Sequence, residues 1–196
     1  MFEDFSWYKY LGQHKTAWEG HILYVYNQIQ EWKPKTVVEL GVYLGHSLAT
    51  MAEGCRDAGL DTKLYGIDHF QGDEHAGIFG PEIEKIATEV LATYPNVTVI
   101  KKTFNEALED WKKRKDTTID LLHIDGRHYY EDIKEDFENW SKFVPIGGHI
   151  ILHDTKETTR GFGIKKYFAE LREQHPNWEF SERTCSHGLG IITKRV

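Results

Sequence analysis

Two short stretches carry residue types that could do acid–base or metal chemistry. Residues 120–130 read Asp-Leu-Leu-His-Ile-Asp-Gly-Arg-His-Tyr-Tyr, and residues 147–155 read Gly-Gly-His-Ile-Ile-Leu-His-Asp-Thr. In each, an apolar run delivers polar side chains to its end: Asp125 and then His128 in the first, His153 and Asp154 in the second. If the two runs are neighbouring strands, two carboxylates and two imidazoles converge on one rim. Such a set could hold a divalent cation such as Mg²⁺ or Mn²⁺ through oxygen, with imidazole favouring a softer metal. It could also place one imidazole as general base for a substrate hydroxyl. The plainer alternative has Asp125 and Asp154 capping the loops that follow. His123 and His149 sit inside the runs and read as packed strand residues. The run His123 to His128 lacks the His-x-His-x-Asp-His pattern that a binuclear metallohydrolase would need.

A third stretch suggests a ligand loop. Val37-Val38-Glu39-Leu40-Gly41-Val42-Tyr43-Leu44-Gly45-His46-Ser47 joins an apolar run to a helical pattern. Gly41 and Gly45 allow a tight turn and a close backbone approach, and a helix N-terminus offers N–H groups and a positive dipole end. The order is Glu-x-Gly-x-x-x-Gly, not the Gly-x-Gly-x-x-Gly of dinucleotide-binding loops. Without the middle glycine a pyrophosphate has no place against the backbone. Glu39 would repel phosphate but suits a cationic ligand or an ammonium group. Further on, Leu64-Tyr65-Gly66-Ile67-Asp68 ends in a carboxylate where a ribose diol would lie. Loop and acid together favour an adenosine-type cofactor over an ordinary strand-to-helix turn.

The elements that must position these residues alternate between two periods, as in a parallel α/β sheet. Strands are expected at Thr36 to Leu40, Lys63 to Ile67, Val97 to Lys101, Ile119 to Ile124 and His149 to His153. Helices are expected between them at Ser47 to Ala58, Pro81 to Tyr94, Asn105 to Lys113 and Tyr130 to Phe143, the second opening on a proline at its first turn. A last helix at Gly163 to Gln174 and a strand pair at Trp178 to Glu182 and Leu189 to Thr193 complete the pattern. Residues 1–33 read as an N-terminal helical cap segment, with Trp7, Tyr8, Tyr10, Trp18, Tyr24, Tyr26 and Trp32; residues 34–196 read as the main domain.

Composition sets the bounds. The chain has 196 residues, 24 Lys and Arg against 31 Asp and Glu, and a net charge of −7, which suits one globular domain. It argues against a phosphate-backbone binder, so no nucleic-acid partner is expected. The basic run Lys112 to Lys115 reads as a solvated helix end. Neither cysteine belongs to a Cys-x-x-Cys pair, which fits a reducing cytoplasm and gives no zinc knuckle. No apolar run approaches the ~20 residues of a membrane span, and the acidic, aromatic start is unlike a secretion signal.

The same stretches resemble a known family. Glu39 to Gly45 looks like the first cofactor motif of class I S-adenosylmethionine-dependent methyltransferases, and Asp68 matches that family's ribose-binding acid. Residues 120–130 with Asp136 and Trp140, then Pro145-Ile146-Gly147-Gly148, Leu152-His153-Asp154-Thr155 and Gly188-Leu189-Gly190-Ile191-Ile192, are similar to small O-methyltransferases related to macrocin and rhamnosyl O-methyltransferases. The resemblance covers roughly residues 34–195. It implies a Rossmann-like, doubly wound, mostly parallel seven-stranded sheet with an antiparallel last strand. It implies S-adenosylmethionine bound by Glu39, Gly41, Gly45 and Asp68. It also implies a divalent cation, Mg²⁺ or another, on the positions of Asp125, His153 and Asp154, where His153 stands in place of the usual acid. The expected reaction is methyl transfer to a hydroxyl of a small molecule or sugar, with Asp125, His128 and Asp154 as catalytic residues. A non-catalytic S-adenosylmethionine- or adenosine-binding module and a nicotinamide oxidoreductase are the alternatives. A homo-oligomer is compatible with the sequence.

Overall fold

The computed structural model describes residues 16–196. The expected aromatic cap residues Trp7, Tyr8 and Tyr10 lie outside the described residues. The elements, in chain order, are α1 (Ile22–Trp32), β1 (Thr36–Leu40), α2 (His46–Asp57), β2 (Lys63–Asp68), a short hairpin β3 (Gly72–Asp73) and β4 (Gly77–Ile78), and α3 (Pro81–Leu91). They continue with β5 (Val97–Lys101), α4 (Phe104–Trp111), β6 (Leu121–Ile124), α5 (Tyr130–Trp140), β7 (His149–His153), α6 (Ile164–Gln174), β8 (Glu179–Arg183) and β9 (Leu189–Thr193).

Seven strands form one sheet in the order β5-β2-β1-β6-β7-β9-β8. The first five are mutually parallel, and β9 runs antiparallel between β7 and β8. This is the Rossmann-like architecture expected above. The inner strands are apolar on both faces because helices cover both. In β1, Val37 faces one layer and Val38 and Leu40 the other; Leu121 and Leu122 divide in the same way in β6. The first layer is built by α1, α2 and α3 and the second by α4, α5 and α6. The described part of the expected cap therefore splits in two. Helix α1 sets Ile22, Val25 and Ile29 into the first core, while Thr16, Ala17 and Trp18 reach the rim described below.

Boundaries differ from the sequence expectation by a few residues, with local causes. Helix α4 begins at Phe104 because Thr103 and Glu106 form a reciprocal capping box. Tyr130 to Phe143 resolves into α5 and one 3₁₀ turn, Ser141–Phe143. The hairpin β3–β4 carries no periodic pattern in two-residue strands and was invisible to pattern reading.

Chain connections put the site at one place. From β1 the chain moves outward to β2 and β5, then returns to the other side of β1 as β6 and β7. The order reverses between β1 and β6, and the crevice beyond the carboxyl ends of strands at such a point is where ligands bind.

Candidate functional site

A crevice of about 590 Å³ opens at this reversal, walled by the segments that follow β1, β2, β5, β6 and β7. The glycine loop forms one wall. Gly41 has φ +92° and Gly45 φ +84°, both left-handed backbone that glycine adopts without strain. At Gly41 a side chain is also excluded by packing, because a Cβ would stand 2.0 Å from the carbonyl oxygen of Asp125. The loop is braced by Asp68. Its Oδ2 accepts the N–H groups of Val42 and Tyr43 at 2.9 and 3.0 Å, and its Oδ1 accepts that of Phe70 at 2.7 Å. Asp68 still lines the crevice. A carboxylate has about four acceptor positions, so three bonds leave room for about one more.

Glu39 and Gly45 stand behind the wall, not in it, among the described residues. Glu39 is fully buried, and Nδ1 of His123 lies 2.7 Å from its Oε1. Burial pushes the Glu39 carboxyl above its ordinary value even though the His123 contact opposes this. His123 is a packed strand residue as expected, but with a buried carboxyl partner that sequence reading did not supply.

The polar rim forms as expected. Asp125 follows β6, its N–H bonded to Leu40 O at 2.8 Å; His153 ends β7, and Asp154 follows at φ +61°. His128 is held by its loop, whose carbonyl accepts the Gly163 N–H at 2.8 Å, and its ring stacks on Phe162 at 4.6 Å. The four groups alternate around a ring. His128 Nε2 lies 3.4 Å from Asp125 Oδ1 and 3.0 Å from Asp154 Oδ2. His153 Nδ1 lies 3.2 Å from Asp125 Oδ1 and 3.3 Å from Asp154 Oδ1. One donor atom from each lies within 4.8 Å of all the others. Yet His128 Nε2 makes no aligned hydrogen bond with either carboxylate. The atoms converge without pointing squarely at one another.

The ring is strongly polarised. Burial disfavours charge on His128, but Asp125 and Asp154 outweigh it and raise the imidazole to about 9. The same balance raises His153 to about 10. Burial likewise works against charge on the two acids, but the imidazoles win, holding Asp125 well below the usual carboxylate value and Asp154 below it. At neutral pH the ring therefore holds two positive and two negative charges.

Beyond the ring lie groups to which sequence reading gave no role. His75, in the turn of the β3–β4 hairpin, and Arg160, in the loop after β7, clasp each other: His75 Nε2 lies 2.9 Å from Arg160 O, and Arg160 Nη1 donates to His75 O at 3.1 Å. His75 also lies against Phe162 at 4.4 Å. At the opposite end Phe104, Asn105, Gly126 and Asp136 line the crevice. Of these, Gly126 and Asp136 belong to the stretch that resembles small O-methyltransferases, where they were given no role, and the capping box ahead of Phe104 is a readable signal that was not used.

Residues 38–155 match a family described as methyltransferase domain. The chain belongs to that family. An uncharacterised protein of Sinorhizobium fredii is 36% identical over 178 residues, covering 90% of this chain and 19% of that protein. An uncharacterised protein of Acanthamoeba polyphaga mimivirus is 30% identical over 125 residues, covering 62% of this chain and 52% of that one. The chain thus spans about a fifth and about half of these curated relatives. Among solved structures, the O-methyltransferase TomG of Streptomyces achromogenes in complex with S-adenosylmethionine superposes with TM-score 0.68 at 14% identity, covering 90% of this chain and 80% of TomG. The Bacillus cereus O-methyltransferase in complex with S-adenosylhomocysteine gives 0.66 at 16% identity, with coverage of 89% and 81%. The fold is shared with these O-methyltransferases. Among the described residues no helix is long and apolar enough to cross a membrane.

Proposed function

We propose that the chain is an S-adenosylmethionine-dependent methyltransferase that methylates a hydroxyl of a small molecule or sugar. The observation that carries this reading is the ring of Asp125, His128, His153 and Asp154 in the same crevice as the glycine loop. The donor's amino-acid end lies by Gly41 and the start of α2, where the helix dipole and N–H groups favour its carboxylate. Asp68 takes the ribose on its remaining acceptor position. Glu39 and Gly45 act from behind, by holding the loop's shape. Residues 34–196 form the methyltransferase domain, and Thr16, Ala17 and Trp18 close on its crevice.

The ring fits a divalent cation. Ligands about 2.1 Å from an ion stand roughly 3.0–3.4 Å apart at octahedral to tetrahedral angles, the spacing of the four contacts here. The two imidazolium protons also carry the charge of one divalent cation. Asp125, His153 and Asp154 would hold it, with His128 beside them. Two imidazoles favour Mn²⁺ or Zn²⁺ over Mg²⁺. When bound, it would supply charge that orients the acceptor oxygen and lowers the cost of its ionisation.

The chain's own groups do the rest. The donor sulfonium is already activated, so most of the acceleration is positioning of the acceptor in line with the methyl. Asp125 and Asp154 orient the acceptor hydroxyl, and His128 takes its proton when its imidazole is neutral. His75, Arg160 and Phe162 close the acceptor end and exclude water. The protein is expected in the cytoplasm, without nucleic-acid partners.

A methyl-transfer assay over a panel of sugar and phenolic hydroxyls tests this, run with the His128→Ala and Asp154→Ala variants. Transfer by the wild type that both variants lose supports the reading. Full turnover in both variants refutes the catalytic assignment.

A further inference from the structure

His153 spends one nitrogen on the ring acids and leaves the other unmatched. Its Nδ1 faces Asp125 and Asp154 at 3.2 and 3.3 Å, while its Nε2 is buried with no hydrogen-bond partner. A buried N–H left unmatched is costly, and a cation-binding histidine ordinarily gives its second nitrogen to a carboxylate, a carbonyl or water. Among the described residues the ring packed against His153 is that of His21, with centroids 5.3 Å apart and planes at 85°. In such a pair the edge of one ring meets the π face of the other.

His21 is placed to offer a face. It ends the 3₁₀ turn Glu19–His21 ahead of α1 and is fully buried. Both of its nitrogens are taken up by the turn between β8 and β9: Nε2 lies 3.1 Å from Ser186 O, and Nδ1 lies 3.8 Å from Cys185 Sγ. The Ser186 hydroxyl also accepts the Gly20 N–H at 3.0 Å. That turn is itself pinned, because the Lys156 N–H donates to His187 O at 2.8 Å. Contacts at two ring nitrogens fix the rotation of the imidazole, so its face cannot turn away from His153. Burial, then the charge of His153, hold His21 down to about 4, so the ring is neutral. A neutral π face can accept an N–H.

We propose that His21 is a positioning residue for the polar ring: its face takes the Nε2–H of His153 and so keeps Nδ1 aimed at the cation site. This step rests on the cation reading above. A cation on Nδ1 leaves the imidazole proton on Nε2, where no oxygen of the protein meets it. The residues ahead of α1 and the β8–β9 turn thereby act on the ring from outside the crevice.

Calorimetric titration with Zn²⁺ tests this on the wild type, His21→Phe and His21→Leu. Both variants lose the Ser186 contact, but only phenylalanine keeps a π face. Phenylalanine should bind Zn²⁺ within about 3-fold of wild type and leucine about 10-fold or more weakly, the usual loss when the outer partner of a metal ligand is removed. Leucine should also lower kcat with KM for S-adenosylmethionine unchanged, and phenylalanine should restore it. In the Zn²⁺-loaded wild type, labelled with ¹⁵N-histidine, the His153 Nε2 proton should be slow to exchange and shifted upfield by the ring it faces. Phenylalanine should keep that shift and leucine should abolish it. Wild-type Zn²⁺ affinity in His21→Leu overturns the proposal, as does a phenylalanine variant as weak as leucine. No binding of Zn²⁺ to the wild type would instead remove the cation reading, and this inference with it. Should His21→Leu fail to fold, the wild-type spectrum still decides, because an Nε2 proton without the upfield shift overturns the proposal.

Discussion

Gly41 lies against the carbonyl oxygen of Asp125, so close that a Cβ would stand 2.0 Å from it. The donor loop and the polar ring are therefore one mechanical unit, and Gly41→Ala should disturb both. The alanine must also adopt φ +92°, which costs about 1–2 kcal/mol before any clash. The expected result is a loss of several kcal/mol in urea unfolding together with weakened S-adenosylhomocysteine binding. Unchanged stability would mean that the loop can move away freely.

The ring predicts a specific pH profile for the cation-free protein. His128 and His153 have folded values raised from 6.5 to about 9 and about 10. Their contribution is full below 6.5 and is lost as pH rises through about 9 and about 10. Asp125 and Asp154 are lowered from 3.8, so their contribution is present above that value and is lost in acid. Unfolding free energy measured against pH should fall between about 6.5 and 10, and Asp154→Asn should flatten that fall. Cation binding must displace these protons, so Mn²⁺ affinity should rise steeply with pH over the same window.

Catalysis and donor binding should separate. His128→Ala should lower methyl transfer by about 10²–10⁴-fold, the usual contribution of a general base. Its affinity for S-adenosylhomocysteine should stay within a few-fold, because His128 stands on the acceptor side, against Phe162. Kinetics and calorimetry on the same preparation check this.

Asp136 should behave with the opposite sign to the ring acids. Its folded value is raised from 3.8 to about 8, so it costs stability as pH rises through that window, by at most about 1.4 kcal/mol per pH unit. Asp136→Asn should gain over the wild type from pH 4 to 8 and then level off. A gain independent of pH would contradict the assignment.

What could be read in the sequence follows from periodicity. β1, β5, β7 and β9 have the bounds expected: β1, β7 and β9 because strands buried on both faces leave a continuous apolar signal, and the partly exposed edge strand β5 because of its β-branched residues. Asp125, His153 and Asp154 were legible because strand ends are fixed by the sheet, and His128 because a short loop returns it. The sequence did not reveal that Asp68 spends three acceptor positions on backbone N–H groups, or that Glu39 is sealed against His123. Both depend on how two strands register against each other. His75 and Arg160 reach the crevice through loop paths that no local pattern encodes, and Asp136, though part of the stretch that resembles the family, reaches it through helix packing.

The central claim is that the crevice between the ends of β1 and β6 takes an adenosyl sulfonium and not a dinucleotide. Side-by-side calorimetric titration of the wild-type protein with S-adenosylmethionine and NAD tests it most directly. Saturable one-to-one binding of S-adenosylmethionine with no heat from NAD is the expected result. Binding of NAD, or silence with both, would contradict it.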